Sequence, residues 1–156
     1  MRSWDDATFN EHLGSRTNWG LVMGGPLSGK SLVAKIISDN TKGKVIDMIK
    51  MAELIKPRLD TEEGPFEGRV PDAEVEKDVL AMINADASSG EKFFYFFDGR
   101  YHQTIEAQAE FLLKNFGTPA CIITCYADDK DVQNRFKEKN EITEDIGEED
   151  LNNLKT

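Results

Sequence analysis

Gly24-Gly25-Pro26-Leu27-Ser28-Gly29-Lys30-Ser31 decides how the rest of this chain is read. A glycine, four residues and then Gly-Lys-Ser is the spacing of a P-loop. The stretch before it, Trp19-Gly20-Leu21-Val22-Met23, reads as a short buried strand. After it, Leu32, Val33, Ile36 and Ile37 recur at the spacing of one helix face. Strand, glycine loop and helix are the context in which such a loop works. Glycines let successive backbone N–H groups turn inward, and the helix N-terminus adds its positive dipole end. In that geometry Lys30 reaches the β- and γ-phosphates of a nucleoside triphosphate, and the Ser31 hydroxyl faces the Mg²⁺ side.

The totals set bounds around this centre. At 156 residues the chain reads as a single domain able to bury a core. The net charge of −10, from 19 basic and 29 acidic residues, argues against a nucleic-acid partner, which needs clustered lysine and arginine. A phosphate loop escapes that argument, because its positive field is local and comes mostly from the backbone. No apolar run approaches a membrane span, and Met1-Arg2-Ser3-Trp4-Asp5-Asp6 does not read as a secretory leader. Two cysteines fit a reducing, cytoplasmic setting.

Away from the loop, the chain alternates. Residues 3–13 read as a short helix lying on the domain or on a neighbour, with 14–18 as linker. Lys44 to Met48 reads as a strand. Ile49 to Leu59 reads as a helix with Met51, Leu54 and Ile55 apolar and Pro57 disturbing its end. Residues 60–68 form an irregular connection. Pro71-Asp72-Ala73-Glu74 opens a helix with Val75, Val79, Met82 and Ile83 inward. Lys92-Phe93-Phe94-Tyr95-Phe96-Phe97-Asp98-Gly99 reads as a strand buried on both faces, as in a parallel sheet. Asp98 at its end stands at the mouth of the sheet, where ligands bind in open α/β folds. Gln103 to Phe116 reads as a helix with Ile105, Ala109, Leu112, Leu113 and Phe116 on the core side. Ala120 to Tyr126 reads as another buried strand, with Cys121 and Cys125 as core thiols. Asp128 to Asn140 reads as a helix with Val132 and Phe136 inward, and 141–156 as an acidic tail. The expected fold is a three-layer α/β/α domain of the P-loop NTPase type, with a mostly parallel sheet of four to five strands.

Three features resemble the adenylate kinase and nucleoside monophosphate kinase family across most of residues 19–140. They are the loop Gly24 to Ser31; the segment Glu67-Gly68-Arg69-Val70-Pro71-Asp72-Ala73-Glu74-Val75 with its helix; and Phe97-Asp98-Gly99 followed by a helix containing Ala107-Gln108-Ala109-Glu110. The family transfers a phosphoryl group from Mg·ATP to a nucleoside monophosphate, on a five-stranded parallel sheet with an acceptor arm and a mobile lid. The resemblance implies ATP on Gly25, Pro26, Ser28, Gly29, Lys30, Ser31 and Leu32, with Mg²⁺ held through water by Ser31 and Asp98. It implies an acceptor, AMP foremost, on Lys56, Arg69, Val70, Asp98, Gly99, Arg100 and Gln108. Lys30, Arg100 and Lys139 are the implied catalytic cations.

The chain also departs from the family. Lys56 stands where the family has an arginine, and residues 51–75 make a shortened acceptor arm in which Arg58 or Arg69 could supply the second arginine. After Asp98-Gly99 the family has Pro-Arg within its next residues. Here Arg100 reaches from a shifted register or His102 takes the arginine's place. Lys139 is the nearest match to a lid arginine, with Arg135 behind it, and no lid pattern follows Asn140. Two functions are therefore open: a nucleoside monophosphate kinase, or a degenerate nucleotide-binding or scaffold domain of a larger assembly, such as those of cilia and flagella, with protein partners.

Overall fold

The computed structural model describes residues 18–141. The helix expected over 3–13 and all of the acidic tail beyond Glu141 lie outside the described residues.

Four strands form one parallel sheet in the order β2-β3-β1-β4: β1 Trp19–Met23, β2 Gly43–Ile46, β3 Phe94–Asp98 and β4 Cys121–Thr124. The helices between and after them are α1 Lys30–Asn40, α2 Met48–Ile55, α3 Asp72–Ser88, α4 Ile105–Phe116 and α5 Asp129–Asn140. A single 3₁₀ turn, Lys56–Leu59, follows α2. Pro57 lacks the N–H that would continue an α-helix, so the segment read as one helix breaks after Ile55.

Because strand side chains alternate, register divides the core in two. Trp19, Tyr95 and Phe97 face one side with Val75 and Val79 of α3 and Phe111, Leu112 and Phe116 of α4. Val22 and Phe96 face the other side with Ala34 of α1. Edge-on ring contacts tie the larger half together: Trp19 to Phe97 at 5.7 Å and Phe111 to Phe116 at 5.8 Å. The Trp19 indole donates to Gly117 O at 3.2 Å, which fixes the end of α4.

Three expected faces are corrected. In α1 the buried residue is Ala34, with Ile37 packed beside it, while Leu32 is 63% and Ile36 51% exposed. In α4 the inward face is Gln108, Phe111, Leu112 and Phe116, and Ile105 and Leu113 point to solvent. β4 lies at the sheet's edge; among the described residues Cys121 and Ile123 pack against the Val22 cluster, and Ile122 is exposed. Burial raises the Cys121 thiol above its ordinary value.

Candidate functional site

The Gly24–Ser31 loop leaves the carboxyl end of β1, a central strand, and turns directly into α1. Its turn is closed by Ser28 N–H donating to Gly25 O at 3.2 Å. Two residues lie in the left-handed region, Leu27 at φ 61° and Gly29 at φ 85°. Gly24 admits no side chain, since a Cβ there would stand 2.3 Å from Ser28 Oγ and 2.8 Å from Cys125 O. Lys30 opens α1, and its Nζ donates to Gly25 O at 3.4 Å. The lysine stem runs beside Gly99, where a Cβ would meet Lys30 Cε at 3.2 Å. Backbone N–H groups of the loop, the α1 N-terminus and one ammonium group are thus gathered over a single turn.

Asp98 ends β3 opposite Val22 of β1, next to the loop. It is 8% exposed, and its Oδ1 has no hydrogen-bond partner among the described residues. Ser28 Oγ is in the same position. Buried polar oxygens are normally hydrogen-bonded, so these two call for a partner outside the described residues, such as water or an ion. From α5, Arg135 Nη1 donates to Leu27 O at 2.7 Å and lies 3.6 Å from where a Gly29 Cβ would be. The motif order put Lys139 ahead of Arg135, but Arg135 is the cation that reaches the loop. Lys139 is exposed one helical turn further on and makes no ion pair among the described residues.

The other expected site residues divide sharply. Arg69 is engaged: Nη2 donates to Asp72 Oδ1 and to Tyr101 O, both at 2.5 Å, and its guanidinium lies 4.3 Å over the Tyr101 ring. The Tyr101 hydroxyl donates to Val70 O at 2.5 Å. Burial pushes that phenol up, Arg69 opposes and Asp72 adds to it, and the net direction is upward. Val70 is a core residue. Gln108 is buried, donating from Nε2 to Gly99 O and accepting at Oε1 from Tyr101 N–H, both at 2.9 Å. His102, one of two residues read into the place of the family's arginine, is 2% exposed between Glu76 and Gln108 and presents no surface cation. Arg58 pairs with Asp78. Lys56 and Arg100 are exposed, and their side chains make no hydrogen bond or ion pair among the described residues. Gly25, Pro26, Ser31 and Leu32 are exposed.

The site therefore assembles Ser28, Gly29, Lys30, Asp98, Gly99 and Arg135; Val70 and Gln108 are buried, and Arg69 is exposed but tied to Asp72 and Tyr101 O. No group of three or more His, Cys, Asp or Glu side chains among the described residues forms a metal cage. No helix among them is long and apolar enough to cross a membrane.

No protein-family model and no curated protein matches this chain. Among solved structures it is similar to a shikimate kinase from Acinetobacter baumannii in complex with shikimate. Identity is 17% and the TM-score 0.46, over 93% of this chain and 75% of that one. It is also similar to an unliganded sugar kinase from Janibacter sp., at 14% identity and a TM-score of 0.44, over 88% and 75% of the two chains.

Proposed function

We propose that this domain binds ATP through the Gly24–Ser31 loop and transfers its γ-phosphoryl group to a nucleoside monophosphate, AMP foremost. The observation that carries the reading is the convergence of Lys30, the α1 N-terminus and Asp98, whose Oδ1 has no partner among the described residues, at the carboxyl ends of β1 and β3. Loop N–H groups and Lys30 hold the triphosphate and balance the charge that spreads over the γ-oxygens. Arg135 steadies the loop by holding Leu27 O and lies close enough to Gly29 to add positive charge above it. Arg100 and Lys56, exposed and without side-chain partners among the described residues, are cations available to an anionic acceptor. The acceptor phosphate oxygen already carries negative charge, so it attacks without a general base, the β–γ bridging P–O bond breaks, and ADP leaves.

The Ser31 hydroxyl and Asp98, whose Oδ1 has no partner among the described residues, would offer hard oxygen donors of the kind Mg²⁺ takes alongside phosphate oxygens and water. Bound there, the ion would neutralise phosphate charge and fix the triphosphate's shape.

The direct test is ADP formation from Mg·ATP and AMP by the wild-type protein and by Lys30→Ala. Activity in the wild type, absent from the variant, is the expected result. No ADP from a protein that still binds nucleotide would refute the transfer and leave a second reading: a nucleotide-holding domain within a larger assembly. That alternative is favoured by the internal engagement of Arg69 and Gln108, which leaves few groups for an acceptor. Under it, Lys30→Ala abolishes nucleotide binding and leaves association with the rest of the assembly unchanged.

A further inference from the structure

Leu27 stands at a place in the phosphate loop that suits a leucine poorly. Ser28 N–H donates to Gly25 O at 3.2 Å, so Gly25-Pro26-Leu27-Ser28 closes a four-residue turn. Proline holds the second place at negative φ, and Leu27, in the third, has φ 61°. Proline second and a left-handed residue third is the pattern of a type II turn, which calls for glycine or asparagine in the third place. A leucine there brings its Cβ against the backbone, a cost that glycine escapes. The turn's own bond does not choose this hand, because the commoner type I turn makes the same bond with a right-handed third residue. A contact from outside the turn is therefore needed, and α5 supplies one. Arg135 Nη1 donates to Leu27 O at 2.7 Å, a shorter bond than the turn's and a charge-assisted one. Leu27 cannot change hand without re-aiming the carbonyl that Arg135 holds. α5 itself is lightly seated: Val132, one turn before Arg135, is the helix's only buried residue.

We infer that α5 is a strap on the phosphate loop, with Arg135 as the positioning residue that keeps Leu27 left-handed. A glycine in that place would hold the turn unaided; the leucine makes the loop's shape depend on α5 being seated. The inference rests on the reading of Gly24–Ser31 as a triphosphate site. It also separates holding the loop from lending it charge, since an arginine acting only through its charge would do so whatever residue stood at position 27.

The test is a double-mutant cycle. Affinity for a Mg-bound, non-hydrolysable ATP analogue is measured by calorimetry in wild type, Arg135→Ala, Leu27→Gly and the double variant. Losing Arg135 is expected to weaken binding about tenfold with Leu27 in place, and about threefold or less in the Leu27→Gly background. A loss of the same size in both backgrounds, or none in either, overturns the inference. If Leu27→Gly does not fold, Leu27→Asn takes its place, since asparagine also tolerates the left-handed region. Without nucleotide, the nuclear Overhauser effect between the N–H and Hα of Leu27 reads its hand directly, because a positive φ brings the two hydrogens close. A strong effect in wild type that weakens in Arg135→Ala supports the strap; a strong effect in both, or a weak one in wild type, overturns it. Wild-type protein that takes up no analogue, while this effect still depends on Arg135, sinks the triphosphate-site reading and leaves the strap standing.

Discussion

Lys30 and Gly99 come together where the first and third strands end, and the smallest changes there are the most telling. Gly99 has φ 72°, and a side chain would press on Lys30 Cε. Gly99→Ala is expected to lower unfolding free energy by about 1–2 kcal/mol and to weaken ATP-analogue binding. Denaturant titration and calorimetric binding would check the two effects separately. Asp98 has a buried oxygen with no partner among the described residues. Asp98→Asn should therefore change stability little while weakening binding measured with Mg²⁺ more than binding measured without it; equal losses under both conditions would remove Asp98 from the metal side. At this scale the loop was legible in the sequence, because its glycines and Lys30 have fixed spacing and steric reasons for it. Arg135 was harder to read. It shares a helix face with Lys139, and only the position of α5 over the loop tells which of the two reaches Leu27 O.

Helix and strand faces were legible where apolar residues alone form them, as in α3 with Val75, Val79 and Ile83. They misled in α4. Apolar spacing chose Ile105, Ala109 and Leu113, whereas the helix turns Gln108 and Phe111 inward. A glutamine is left out of a core by hydropathy, yet it is stable inside when both amide ends are bonded, as Gln108 is to Gly99 O and Tyr101 N–H. The edge position of β4 was equally hidden, because strand order is a property of the whole sheet. Two substitutions compare edge with centre: Phe97→Ala is expected to destabilise by about 3–5 kcal/mol and Ile122→Ala by less than about 1 kcal/mol. Similar losses in thermal or denaturant unfolding would contradict the strand order.

A polar cluster joins α3 to the sheet: Asp86 accepts from Lys44 at 2.8 Å and from the Tyr95 hydroxyl at 2.9 Å. Burial works to raise the Asp86 carboxyl, but the hydrogen bonds from Lys44 and Tyr95 and the lysine charge outweigh it and hold the group below the ordinary carboxylate range. The Tyr95 phenol is pushed up by burial and by Asp86. A carboxyl depressed on folding contributes stability that is complete above its unfolded value, about 4, and lost as pH falls through the lower folded one. Asp86→Asn should therefore unfold more easily than wild type near neutral pH, by about 1–2 kcal/mol, with the difference shrinking under acid. A gap that widens as pH falls would contradict this assignment.

At the scale of the whole molecule, one parallel sheet places the ends of β1 and β3 side by side, and everything proposed about function depends on that adjacency. The chain's net charge of −10 would repel a polyanion, so triphosphate binding must draw on local groups: loop amides, Lys30 and Arg135. A ligand that binds only the folded state stabilises it by about 2.7 kcal/mol at a hundred times its dissociation constant, so Mg·ATP should raise the melting temperature by several degrees. The decisive measurement is calorimetric titration of a Mg-bound, non-hydrolysable ATP analogue into wild type and into a folded Lys30→Ala variant. Saturable binding at one site in the wild type, weakened about 100-fold or more in the variant, is the expected result. A wild type that takes up no analogue, or a variant that binds it equally well, would contradict the assignment of Gly24–Ser31 as the triphosphate site.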